Sequence, residues 1–177
     1  DDLLDIADLD ILVKDIKVYI TAVFRAINSA IHPFNFVNTV DEFIQTIKSY
    51  QEAAGGHFDF SVALKEAEAL RSSLVRFYEE IEGLKEKDVN DPQVKEANRK
   101  IRKLARILVP INYSRKGKFR HDPALNVPPL PDIAPAANLQ KLEKGSHKYN
   151  VLQTHLTRGQ NRVAWSLREA RELVASK

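Results

Sequence analysis

The sequence predicts an all-α fold, a four-helix-bundle-like domain with one long Pro-rich loop. Three observations carry that expectation. Apolar residues recur at spacings of three and four in five separate stretches, and no run alternates with the strand period long enough to build a sheet. Glycine is scarce, at 6 of 177 residues, while the good helix formers Leu, Ala, Lys and Glu are abundant. Six of the eight prolines are gathered between Pro110 and Pro135, so irregular structure is concentrated in one place.

The first helix is expected over about 5–31. Leu9, Leu12, Val13, Ile16, Ile20, Val23, Phe24, Ile27 and Ile31 form one wide apolar face, with Lys14, Lys17 and Arg25 off it. At more than about twenty residues it is long enough to span the domain. His32-Pro33 should end it, because a residue before proline is pushed out of the helical region. The second helix is expected over about 40–54, opened by a Thr39/Glu42 capping box and stopped by Gly55-Gly56. It carries Val40, Phe43, Ile44, Ile47 and Tyr50.

The third is expected over about 60–85, with a buried stripe of Val62, Leu64, Ala67, Leu70, Leu74, Phe77, Ile81 and Leu84. Its other face (Lys65, Glu66, Glu68, Arg71, Arg76, Glu79, Glu82) reads as solvated mixed charge. The fourth is expected over about 91–108, with Asp91 as N-cap, Pro92 in the first turn and Pro110 as the stop. The last is expected over about 150–175. Its Leu152, Leu156, Gly159, Val163, Leu167, Ala170 and Val174 are spaced close to a heptad seam. A glycine inside a helix costs about 1 kcal/mol against alanine, so Gly159 points either to a close helix–helix approach or to a tolerated defect. Trp165 lies beside the seam as packing or as an interface anchor. Residues 109–149 are left irregular, within a single domain covering 1–177.

The composition is that of a globular protein, 44% hydrophobic and 29% charged. A net charge of +3 is too mild to argue for nucleic acid. With no cysteine there is neither a disulfide framework nor a thiolate metal site. No apolar run reaches the length of a membrane span. The chain contains no Met, an initiating one included, and reads as a piece of a longer protein.

Catalytic signals are sparse. The five histidines (His32, His57, His121, His147, His155) make no zinc-binding helical pair, and there is no Gly-rich phosphate loop or nucleophile elbow. Arg115, Lys116, Lys118 and Arg120, interleaved with Tyr113 and Phe119, form a modest basic patch that could take an anion or RNA. The alternative is that Phe119 anchors the loop while the cations stay wet or meet acids of a neighbouring domain. Asn112-Tyr113-Ser114 is an N-glycosylation sequon at Asn112.

Three stretches, in order, resemble one family. They are the long apolar helix with His32-Pro33-Phe34-Asn35-Phe36 and the helix after it; 98–122 with Leu104, Arg106, Pro110 and Phe119-Arg120-His121; and the helix over 158–174 with Gln160, Val163 and Ala164. Together they look like the transferrin receptor-like dimerisation domain, the C-terminal helical domain of the transferrin receptor and glutamate carboxypeptidase group. The resemblance implies a module that pairs with its own copy and follows a zinc-peptidase-like domain. On it, Phe119, Arg120, His121 and Trp165 are loop-anchor and interface candidates. Zinc and the catalytic residues would belong to the upstream domain, so this chain is expected to be no enzyme and to hold no cofactor or metal of its own. Its expected partners are a second copy and that domain, with no nucleic acid. Membrane attachment would come only through an N-terminal anchor outside this chain, placing it in the lumenal or extracellular part of a single-pass protein.

The glutamate carboxypeptidase branch also lends a Lys-Tyr pair to a substrate carboxylate, and Lys148-Tyr149 is similar to it. The match departs from the pattern in two ways. A Pro-rich insertion lengthens the spacing from Phe119-Arg120-His121, and Asn150-Val151 stands where glycines are expected.

Overall fold

A computed structural model of the chain describes residues 8–115 and 126–176. Among these it contains α1 (Leu9–Ile27), α2 (Phe36–Ala54), α3 (Ser61–Ile81), α4 (Pro92–Tyr113) and α5 (His147–Ala175). Short 3₁₀ segments cover Gly55–His57, Glu82–Glu86 and Ala134–Lys141. The fold is all-α, as the apolar periodicity requires.

The bundle is made by α2 to α5. Helices α3 and α5 form its central pair; α2 packs on the flank of α3 and α4 on that of α5. The core runs through Phe43, Ile47, Leu70, Leu74, Ile101, Leu104, Leu108 and Leu156, all fully buried. Helix α5 is buried on more than one side because it sits between two neighbours, which is why its apolar line continues through Gly159, Val163, Ala164, Leu167 and Ala170. Glu66, expected on a solvated face, instead ties α3 to α5: it accepts from Arg168 at 2.7 Å and Arg171 at 3.4 Å. Val62, expected in the buried stripe, is exposed, and Ala63 takes its place.

The helix limits differ from expectation for local reasons. Helix α2 begins four residues early, because the Asn35 side chain accepts from Val37 N–H at 3.0 Å and caps it; the Thr39/Glu42 box is not the start. Helix α4 runs through Pro110 to Tyr113. Proline removes one donor, but Arg106, whose carbonyl loses it, lies on the exposed side where water can replace it. Helix α5 starts at His147, with the Ser146 hydroxyl capping Tyr149 N–H at 3.2 Å.

The stretch left irregular by sequence is partly core. Leu130, Ile133, Ala136 and Leu139 are fully buried, and the Ala134–Lys141 segment lies across α2 and α5. Side chains pin it at several points. Tyr50 Oη donates to Pro129 O at 2.7 Å, Gln140 Nε2 to Ala53 O at 2.7 Å, and Arg162 Nη1 to Asp132 Oδ2 at 2.6 Å. The close approach at Gly159 is therefore not helix on helix. A Cβ there would stand 2.4 Å from the backbone oxygen of Asp132.

Helix α1 stays outside the bundle. None of its residues is buried. It ends at Ile27, short of the expected 31, because Asn28 closes it: both its backbone N–H and its side-chain amide donate to Phe24 O, at 3.2 and 2.8 Å. Ile31, the last residue of the apolar line, leaves the helix and enters the core at 5% exposure.

Candidate interaction surface

The largest unexplained feature is the apolar surface of α1. Eleven large apolar side chains along it are exposed, from Val13 at 40% to Tyr19 and Ile27 at 73%. At 100° per residue the polar positions Asp10, Lys14, Lys17, Thr21 and Arg25 share one narrow strip, leaving an apolar arc of about 240° broken only by Asp15. Soluble helices in a bundle need an arc of only about 100°. A helix this apolar is normally covered on more than one side.

Local propensity does not sustain α1 either. Eight of its 19 residues are β-branched (Ile11, Val13, Ile16, Val18, Ile20, Thr21, Val23, Ile27). Such side chains lose χ1 freedom in a helix, and isolated helices of this length are marginal in water even with better formers. The Asp8 cap, accepting from Asp10 and Ile11 N–H, offsets about 1 kcal/mol of this.

The base of α1 is nevertheless fixed. In the connector to α2, Asn98 of α4 donates to Ala30 O and accepts from His32 N–H, both at 2.8 Å. Tyr78 of α3 donates to Phe34 O at 2.7 Å and accepts from Phe36 N–H at 3.2 Å. Arg102 Nη1 lies 3.0 Å from His32 Nε2. A guanidinium only donates, so this ring nitrogen accepts and the imidazole is neutral. Burial and then the Arg102 charge hold the His32 pKa below its ordinary 6.5.

The unfolded chain takes up this proton at a higher pH than the folded one, so stability from the connector is complete above 6.5 and falls as pH drops toward the lowered value. His32→Gln keeps an acceptor for Arg102 without a titrating ring. Melting the parent and H32Q at about pH 7.5 and about pH 5.5 should show a smaller acid loss in H32Q. Equal losses would contradict this role.

The other candidate residues are scattered. Trp165 is 66% exposed on the outer face of α5, available as an anchor. Phe119, Arg120 and His121 lie outside the described residues, as do Lys116 and Lys118. Asn112 is buried at 5% exposure, and its Oδ1 accepts from the buried Leu130 N–H at 3.1 Å. The sequon amide is thus a structural strut for the Leu130 backbone. Leu130 needs that support because its φ is +46°, a left-handed conformation that a branched side chain adopts only when held. Lys148 and Tyr149 sit in the first turn of α5 and do not share a site. Lys148 is exposed, whereas Tyr149 is buried with its hydroxyl 3.3 Å from His57 Nδ1.

A cleft of about 530 Å³ opens between α2 and the end of α4, lined by Phe43, Thr46, Tyr113, Val127 and Pro129 with Asp41 and Glu42. Among the described residues its lining holds no Lys, Arg, His or Cys, and Asp41 is already paired with Arg71 at 2.5 Å. Among the described residues no group of three or more His, Asp or Glu could hold a metal ion, and no helix is long and apolar enough to cross a membrane. The sequence signal for α1 was its excess apolar width. The connector clamp through Asn98 and Tyr78 had no signal, since it joins residues more than forty positions apart.

Comparison with family models, curated proteins and solved structures gives no match to this chain.

Proposed function

We propose that the chain is a homodimerisation module of a transferrin receptor-like or glutamate carboxypeptidase-like protein, with no catalysis of its own. The observation that supports this reading is α1: an amphipathic helix with no buried residue, rooted firmly in the bundle and presenting its apolar arc outward. Its exposed apolar side chains total on the order of 1,000 Å², above the ~800 Å² that one partner gives to a standard interface. The arc has two bands, and two neighbours fit it. The broad band around Leu9, Ile16, Ile20 and Ile27 serves the second copy. The narrow flank of Ile11, Val18 and Ala22 serves the upstream peptidase-like domain, where zinc would reside. Because the Tyr149 hydroxyl is engaged inward with His57, the reading of Lys148 and Tyr149 as a carboxylate pocket gains no support.

Amide hydrogen exchange at two concentrations tests the proposal. Raising the chain from about 1 to about 100 μM should slow exchange in α1 while leaving α3 and α5 unchanged. Exchange in α1 that is equally fast at both concentrations would sink it.

A further inference from the structure

We propose that the outer face of α4 is a binding track for single-stranded nucleic acid: Lys95, Arg99, Arg102, Lys103 and Arg106 follow the phosphates, and Tyr113 stacks on a base at the end. This surface shares no residue with α1, so it stands or falls apart from the homodimer reading.

The net charge of +3 conceals a strong local one. Residues 95–106 carry six Lys or Arg and a single acid, Glu96. Lys100 is turned inward, where its ammonium donates to Ser176 O. The other five share an arc of about 100° at 100° per residue, on the side away from Val94, Ile101, Leu104 and Leu108. Neighbours in the row stand about 5–6 Å apart at i, i+3 or i, i+4. Lys95, Arg102, Lys103 and Arg106 are exposed and Arg99 is half-buried.

These cations are largely unneutralised. Arg99 is paired, its Nε donating to Glu96 Oε2 at 2.6 Å. That hydrogen bond, and then the charges of Arg99, Lys100 and Lys103, hold the Glu96 carboxyl below its ordinary range. Arg102 meets the neutral ring of His32. Among the described residues, the side chains of Lys95, Lys103 and Arg106 make no hydrogen bond or ion pair. Such a row keeps solution counterions, whose release on meeting a polyanion drives binding.

Shape and the end residue select the polyanion. The row is one side chain wide, which suits a linear chain of charges. A bilayer surface would call for apolar side chains among the cations, and every fully exposed position of α4 between 95 and 106 is charged. About 10 Å beyond Arg106, at 1.5 Å per residue, Tyr113 lies in the same arc. It is 66% exposed. An aromatic ring at the end of a cationic row is a stacking platform for an unpaired base, which a sulfated polysaccharide lacks. Beyond Tyr113 the cleft carries Asp41 and Glu42, which repel phosphate, so the track ends there.

Fluorescence anisotropy of a labelled oligothymidylate of about twelve nucleotides, from about 20 to about 200 mM salt, tests this. The parent should bind with a log–log salt slope of about −3, from four to five phosphate contacts at about 0.7 each. Lys103→Glu with Arg106→Glu should weaken binding at least about 30-fold at the lowest salt. Tyr113→Ala should weaken it about 10-fold and leave the slope unchanged. These positions are exposed, so the variants should melt within about 2 °C of the parent. Lys103→Gln with Arg106→Gln, expected to flatten the slope by about 1.4, serves if charge reversal lowers the melt. A parent that does not bind at the lowest salt, or a charge reversal that binds as the parent does, would overturn the proposal. So would a parent that holds heparin as tightly as the oligonucleotide with Tyr113→Ala unchanged on both, since that outcome assigns the row to sulfated polysaccharide.

Discussion

Gly159→Ala is expected to destabilise the domain by about 2–4 kcal/mol, a fall in melting temperature of about 5–15 °C. Two effects oppose each other at this position. Helix propensity alone favours alanine by about 1 kcal/mol. Against it, the new Cβ would lie 2.4 Å from Asp132 O and 2.9 Å from its carbonyl carbon. A flexible side chain could move aside, but here the obstacle is backbone. That backbone is fixed by Leu130 and Ile133 in the core and by Arg162 on the Asp132 carboxylate. Relief would require α5 or the proline-rich segment to shift, so the steric effect wins. Gly83→Ala, with nothing within 4 Å of the added carbon, is the control and should stay within about 0.5 kcal/mol. Thermal melts of the two variants read the difference; a G159A protein as stable as its parent would mean that the segment does not lie on α5 as described.

The second large effect is expected at α1. Ile16→Asp with Ile20→Asp should weaken self-association by at least about 100-fold. Both side chains stand in the middle of the apolar band, 46% and 63% exposed. An aspartate buried there would be an unpaired charge, worse than a merely shortened side chain. Neither residue touches the bundle core, so at low concentration the variant should melt within about 2 °C of the parent. Loss of the dimer together with the bundle would show instead that α1 supports the fold.

Much of the architecture was readable because it depends on local pattern. The 3.6-residue period of Leu70, Leu74, Phe77 and Ile81, or of Val94, Ile101, Leu104 and Leu108, survives any tertiary detail. Limits were less readable, because Asn35 and Thr39 are both good caps and only the depth of Phe36 in the core decides between them. Pro110 was misleading for a similar reason: a proline stops a buried helix more surely than one whose freed carbonyl meets water. Gly159 signalled a close approach, but the sequence could not say that an irregular segment, and not a helix, comes near. Asn112 shows the same limit at a candidate site, since a three-residue sequon carries no information on burial. For α1, apolar periodicity reports that a face will be covered and is silent on which chain covers it. That is why a helix expected inside the bundle stands outside it.

Sedimentation equilibrium of the parent chain beside the Ile16→Asp, Ile20→Asp variant, from about 1 to about 100 μM, addresses the central claim most directly. The parent mass should rise from 20.1 kDa toward that of two chains, while the variant stays at 20.1 kDa throughout. A parent that remains a single chain across the range, or a variant that associates as well as the parent, would contradict the assignment of α1 as the dimer surface.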